Sequence, residues 1–305
     1  MTRPPDPSID RPAETVRRRA RRAIRRWQSR LGIGPHRTLL ILACPRSGST
    51  AVRDWLGRQP RCCPLPQSRI LLPATAAVGQ IERFAPLHRD RDPLIAEQRR
   101  FVRRHYARLG WVARRTVIEK ENLEPISVAD GDYPQFIRHA QTLLPDAPLL
   151  LLTRSARSTV WSMVNRQWGH SLHDTPLVSW SFDRCLEIWT EATRAVVDAA
   201  EQGRGLLVRF EDLVACPTDE SERIGRYLAP HLGSGPLSPF VAKPTKTPEF
   251  TAEQNRRIDD AAAEFAAPIA AACRLEPPQD RPTHADRSQP AEPSQPAEPS
   301  QPAEP

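Results

Sequence analysis

No run of about 18 apolar residues occurs in this 305-residue chain, so no transmembrane helix is expected. The N-terminus carries arginines but no apolar h-region, and does not read as a secretory signal. The six cysteines, Cys44, Cys62, Cys63, Cys185, Cys216 and Cys273, contain no C-x-x-C pair, and no histidine cluster completes a zinc site. Without a signal peptide the expected compartment is the reducing cytoplasm, the cysteines are read as free thiols, and no metal is expected. Adjacent Cys62 and Cys63 are read as small half-buried residues rather than a redox pair. Hydrophobic residues make up only 39% of the chain, against 26% charged and 33 prolines, which suits one globular core with polar, Pro-rich flanks.

Charge is spread unevenly. Residues 1–30 hold ten arginines against three acids, which accounts for +7 of the net +8, so the body of the protein is close to neutral. Within this arm Val16, Ala20, Ile24, Trp27 and Leu31 form one helical stripe surrounded by arginines. The pattern suits a helix lying on an anionic membrane surface, which makes the expected location cytoplasmic and membrane-peripheral. A solvated helix and nucleic-acid binding are the other readings, the last disfavoured. At the other end Ser-Gln-Pro-Ala-Glu-Pro repeats three times from Ser288 to Pro305. Such a repeat buries no apolar surface and is expected to be disordered with a polyproline II bias. The expected organisation is therefore a basic arm over 1–36, a domain over 37–275 and a tail over 276–305.

Four short apolar runs read as strands: residues 38–43, 116–120, 148–153 and 205–210. The first, Thr38-Leu39-Leu40-Ile41-Leu42-Ala43, has the continuous hydrophobicity of a strand covered on both faces. Helical stretches are expected at 133–144, 158–167, 178–202, 220–228 and 251–272. Strands alternating with helices predict an α/β fold of three layers, P-loop-like, with a parallel sheet flanked by helices. Residues 60–110 and 166–180 carry no transferable motif and are read as acceptor loops.

After the first strand comes Cys44-Pro45-Arg46-Ser47-Gly48-Ser49-Thr50, followed by a helical segment with Val52, Trp55 and Leu56 facing inward. A small-residue loop between a strand end and a helix start gathers backbone N–H groups at the positive end of a helix dipole, which makes an anion site. Gly48 allows close backbone approach, Ser47, Ser49 and Thr50 add hydroxyls, and Arg46 adds a forked cation. The Walker A spacing is missing, since no lysine follows Gly48 and no glycine stands at the required distance before it. A Ser/Gly turn that merely caps the helix is the plainer alternative.

The strand at 148–153 likewise ends in Arg154-Ser155-Ala156-Arg157-Ser158, with Ser162 about two turns into the next helix. This again lies at the sheet edge where α/β folds bind ligands. A third segment, Val208-Arg209-Phe210-Glu211-Asp212-Leu213, joins a strand to an acidic turn. Glu119-Lys120-Glu121-Asn122 closes the second strand, where alternation puts Lys120 on the face opposite Glu119 and Glu121. Surface helix starts, a core Phe and an exposed charge cluster would each explain one of these segments taken alone.

Taken together, Pro45 to Thr50 resembles the 5′-phosphosulfate loop of the sulfotransferase superfamily, in particular its bacterial carbohydrate and lipid branch and its tyrosylprotein branch. Arg154 with Ser162 resembles the same family's 3′-phosphate motif, although Ser155 and Ala156 depart from the usual Asp and Pro. The resemblance spans about residues 38–272. It implies a sulfonate donor, 3′-phosphoadenosine-5′-phosphosulfate (PAPS), with PAP as product and a hydroxyl-bearing acceptor such as a glycan, a glycolipid or a small metabolite. On this basis Arg46, Ser47, Gly48, Ser49, Thr50, Arg154 and Ser162 would bind the donor, Phe210 would lie near the adenine, and Lys120 would hold the transferring sulfonate. Related bacterial enzymes tend to carry a glutamate shortly after the first helix. Gln67 stands there in this chain, and no acid occurs between Asp54 and Glu82. Where cytosolic relatives have a histidine base, Asn122 is found. The base is therefore sought among Glu121, Glu119, Glu82 and His88, with Glu121 first. A catalytically inactive PAPS/PAP-binding protein, an atypical P-loop kinase or NTPase, and an adaptor acting through the basic arm are the competing functions.

Overall fold

The computed structural model describes residues 37–275, except 61, 66, 85–89, 114–115, 125–131, 166–179, 233–234 and 243–247. The basic arm, the C-terminal tail and His88 lie outside the described residues. Five parallel strands form one sheet in the order β2-β3-β1-β4-β5. They are β1 (Thr38–Ala43), β2 (Cys62–Pro64), β3 (Thr116–Asn122), β4 (Leu149–Thr153) and β5 (Leu206–Arg209). The continuous apolar runs have the cause expected of them, because every residue of β1 and β4 is buried.

Alternate residues of β1 feed two cores. Leu39, Ile41 and Ala43 pack with Val52, Trp55 and Leu56 of α1 (Ser49–Gly57). The same core takes in Phe210 and Leu213 of α7 (Phe210–Ala215) and Ile224 and Leu228 of α8 (Pro217–Leu232). Leu40, Leu42 and Cys44 face the other way. They share a larger core with α2 (Leu71–Arg83), α3 (Arg91–Ala113), α4 (Tyr133–Leu143), α5 (Ala156–Asn165), α6 (Phe182–Glu201) and α9 (Ala252–Ala272). The result is the expected three-layer α/β fold with a parallel sheet between helices.

Three local expectations change. Part of the 60–110 stretch is not loop: it contributes edge strand β2 and helices α2 and α3. In α3 the buried positions Ile95, Val102 and Tyr106 keep helical spacing, but six arginines between 91 and 108 dilute the stripe. Pro73 and Pro93 fall in the first turns of α2 and α3, where a missing N–H loses no helical bond. The last strand ends at Arg209, and Phe210 opens α7 instead. Ser162 lies inside α5, which starts two residues before the expected Ser158.

All six cysteines are free thiols, with Cys62 buried and Cys63 half-buried. Among the described residues no helix is long and apolar enough to cross a membrane.

Candidate active site

The chain starts in the middle of the sheet at β1, runs out to β2 and β3 on one side, then crosses to β4 and β5 on the other. In open α/β sheets such a reversal marks the ligand-binding edge, here at the carboxyl ends of β1 and its two neighbours. The loop after β1 turns sharply there. Arg46 (φ 66°) and Gly48 (φ 87°) both take left-handed backbone, and Gly48 is the N-cap of α1 with no side-chain cap. The first N–H groups of α1 are thus left for a ligand, with the dipole behind them. A Cβ at Gly48 would come within 2.4 Å of Phe210 Cε2, so glycine is required by space as well as by φ. Ser47 is fully buried and its hydroxyl has no hydrogen-bond partner; Ser49 is buried and Thr50 exposed.

The two loops singled out from sequence meet directly. Arg46 Nε donates to Ser162 Oγ at 3.0 Å, and Arg154 Nη1 donates to the Arg46 carbonyl at 3.3 Å. Arg154 lies over the Phe210 ring, 4.9 Å from its centroid, and its buried Nε has no hydrogen-bond partner. Burial pulls the Arg154 guanidinium below its usual range. Ser155 does the capping work expected of an aspartate: its hydroxyl accepts from Ser158 N at 3.4 Å, while its own N–H donates to Glu211 at 3.0 Å. Arg157 turns away, pairing with Asp259 of α9 at 2.7 Å. Phe210 is 8% exposed, meets Phe240 edge-on at 5.8 Å, and lies against Gly48 and Arg154.

The β3 cluster reaches the same edge. Lys120 pairs in register with Ile41 and Glu121 with Leu42, which puts Lys120 on the α1 side and Glu119 and Glu121 on the opposite side. Lys120 is lowered by burial first, then by nearby Arg53, with Arg46 also within electrostatic reach. Glu119 and Glu121 are both fully buried. Burial, then the neighbouring Glu119 charge, pushes Glu121 up to about 8; burial also raises Glu119, against hydrogen bonds from Ser68. Gln67 lies beside this pair and donates from Nε2 to Glu121 Oε2 at 2.9 Å. Glu82 is occupied elsewhere, 2.8 Å from His139 Nε2.

Sequence reasoning missed three contributors. Trp189 of α6 donates from its indole to the Arg154 carbonyl at 2.9 Å, fixing that turn from behind. Glu124, 2% exposed just beyond β3, is 3.7 Å from Arg69 and helps to raise the buried Cys44 thiol. Arg69 takes left-handed backbone at φ 56°. An arginine in that conformation leaves no mark in the sequence. Glu124 had one signal, its place just beyond a strand that ends at the ligand-binding edge.

A family model described as "Sulfotransferase family" matches residues 38–230. No curated protein matches the chain. Among solved structures, the sulfotransferase domain from the curacin biosynthetic pathway is similar at 15% identity and TM-score 0.42, covering 75% of this chain and 98% of its own. The sulfotransferase domain from the Synechococcus PCC 7002 olefin synthase gives 18% and 0.42, covering 75% and 94%. A sulfotransferase from Alicyclobacillus acidocaldarius gives 14% and 0.46, covering 79% and 97%. The family match includes all five strands and the loops after β1 and β4, and by it this chain belongs to the sulfotransferase family, whose members are PAPS-dependent transferases.

Proposed function

We propose that the chain transfers a sulfonate from PAPS to an acceptor hydroxyl, with the donor held by the loop after β1 and the loop after β4. The observation that carries this is the direct joining of the two loops through Arg46, Ser162 and Arg154. The residues fit a doubly phosphorylated nucleotide. Arg154 Nε is a buried donor without a protein partner, Ser47 Oγ has only the Cys44 thiol beside it, and the uncapped start of α1 supplies N–H groups. Buried donors in that state are expected to have a ligand or water to satisfy them.

In this reading Arg46, Ser47, Gly48, Ser49 and Thr50 hold the 5′-phosphosulfate, and Arg154 with Ser162 holds the 3′-phosphate. Phe210 backs the Gly48 turn, supports Arg154 and lies near the adenine. Glu121 takes the acceptor proton. The acceptor oxygen forms a bond to sulfur as the bond from sulfur to the 5′-phosphate oxygen breaks, and the electron pair leaves with PAP. Arg46 and the loop N–H groups stabilise charge on the departing phosphate, while Lys120 holds the transferring sulfonate. The acceptor is read as a glycan, a glycolipid or a small metabolite.

Titration calorimetry with PAP and with adenosine 5′-phosphosulfate, which lacks the 3′-phosphate, tests the donor site. Arg154→Ala and Ser162→Ala should each weaken PAP about ten- to a hundredfold, the loss of one charge-assisted contact, and spare adenosine 5′-phosphosulfate. Arg46→Ala should weaken both. Equal binding of the two nucleotides by the wild type would remove the 3′-phosphate assignment and favour an ATP-type ligand.

A further inference from the structure

The dipeptide Gln67-Ser68, in the loop after β2, grips the two buried carboxylates of β3 in different ways. Ser68 N donates to Glu119 Oε1 at 2.9 Å, the Ser68 hydroxyl donates to Oε2, and Lys120 N adds a bond to Oε1 at 3.2 Å. Both oxygens of Glu119 are thereby occupied. Gln67 holds only Oε2 of Glu121; Oε1 is buried with no hydrogen-bond partner. A carboxylate oxygen in that position is completed by water or by a substrate hydroxyl. Gln67 itself is half-buried, whereas Glu121 is fully buried.

We propose that Gln67 is a positioning residue for sulfonate transfer: its amide fixes Glu121 through Oε2 and so presents Oε1 to the proton of the acceptor hydroxyl. The inference rests on the reading of Glu121 as the base. Glu119, closed by Ser68, does not take the proton but supplies a neighbouring charge. The groups acting on Glu121 are Glu119 and Lys120 from its own strand, Gln67 and Arg69 from the loop after β2, and Tyr106 from α3. Glu119 pushes its titration up, whereas Gln67, Arg69 and Lys120 pull it down. Removing the Gln67 amide takes away one donor that favours the charged carboxylate. The base should then titrate at higher pH.

The test compares wild type, Gln67→Met and Gln67→Ala in transfer from PAPS to a panel of hydroxyl acceptors across about pH 6 to 10. Both variants should lose about ten- to a hundredfold in kcat near neutral pH while PAP affinity stays within about twofold. The rising limb of the kcat profile should move alkaline by about one pH unit, so the deficit shrinks as pH rises. An equal loss at every pH, with the limb in place, would reduce Gln67 to a structural residue, and unchanged kcat would remove its role. Thermal unfolding of the PAP complexes needs no acceptor. There the gap in Tm between wild type and Gln67→Met should widen as pH rises and Glu121 ionises; a constant gap overturns the proposal. Wild-type protein that binds PAP but transfers to no acceptor overturns the base and its positioning together. Failure of the wild type to bind PAP would strike the proposed function itself.

Discussion

Arg46 sits in left-handed backbone, which costs a non-glycine residue about 1–2 kcal/mol. Its carbonyl and its Nε are each held by the other loop, through Arg154 and Ser162, so the strained turn is fixed by tertiary contacts. The need for glycine at 48 was legible from the motif; the strain at Arg46 was not, because nothing local to Pro45-Arg46-Ser47 demands it. Glu121 offers a prediction of its own. Its folded-state value of about 8 lies above the ordinary carboxylate value of 4.5. The folded protein therefore keeps a proton that the unfolded chain has lost. The stabilisation is fully present below the unfolded value and is lost as pH rises toward about 8. One such proton gives a slope of at most about 1.4 kcal/mol per pH unit inside that window. Glu121→Gln should flatten the decline of Tm between mildly acidic and mildly alkaline pH. It should not abolish it, because Glu119 is raised by burial too. An unchanged Tm profile would show that Glu121 is not protonated in the fold. As the proposed base, Glu121 acts on the acceptor, so the variant should also lower turnover while sparing PAP affinity.

Helices α5 and α6 show how an element far along the chain shapes the loop proposed to hold the donor. Arg154 follows β4 and Ser162 lies on α5, eight residues later, yet the turn between them is braced by Trp189 from α6 and by Glu211 from α7. Trp189 is 2% exposed and packs edge-on against Phe265 of α9, so it also belongs to the larger core. Trp189→Phe keeps most of the aromatic volume and leaves the Arg154 carbonyl without this donor, a loss of about 1–3 kcal/mol. Calorimetry should show PAP binding weakened about three- to tenfold with adenosine 5′-phosphosulfate little changed. A fall in Tm with unaltered PAP binding would make Trp189 a packing residue only. At this scale β1, β3, β4 and the helices flanking them were readable from hydrophobic pattern. Helices α2 and α3 were not: in α3, arginines interrupt the apolar stripe, and the burial of Tyr106 and Val102 depends on the sheet face they cover.

Across the whole molecule, charge and chemistry are separated. The chain is nearly neutral outside its first 30 residues, so any attraction to an anionic surface would come from that arm. Deleting residues 1–31 is expected to reduce sedimentation with anionic vesicles, in a salt-sensitive manner, and to leave PAP titrations unchanged. Binding to vesicles that survives the deletion would remove the arm from that role. The sequence by itself determined the α/β class, the parallel sheet, the glycine-bearing turn at 45–50 and the second strand-to-helix turn that carries Arg154 and Ser162. These rest on local facts: continuous apolar runs, a glycine that permits one turn, and short spacings between a strand end and a helix. Only the tertiary structure decided that Arg46 bonds to Ser162, that Trp189 braces Arg154, and that Gln67 holds Glu121 while Ser68 closes Glu119. Those pairings join residues 35 to 116 positions apart. Their partners are chosen by strand order and by which sheet face each side chain meets, and no window of sequence contains that information.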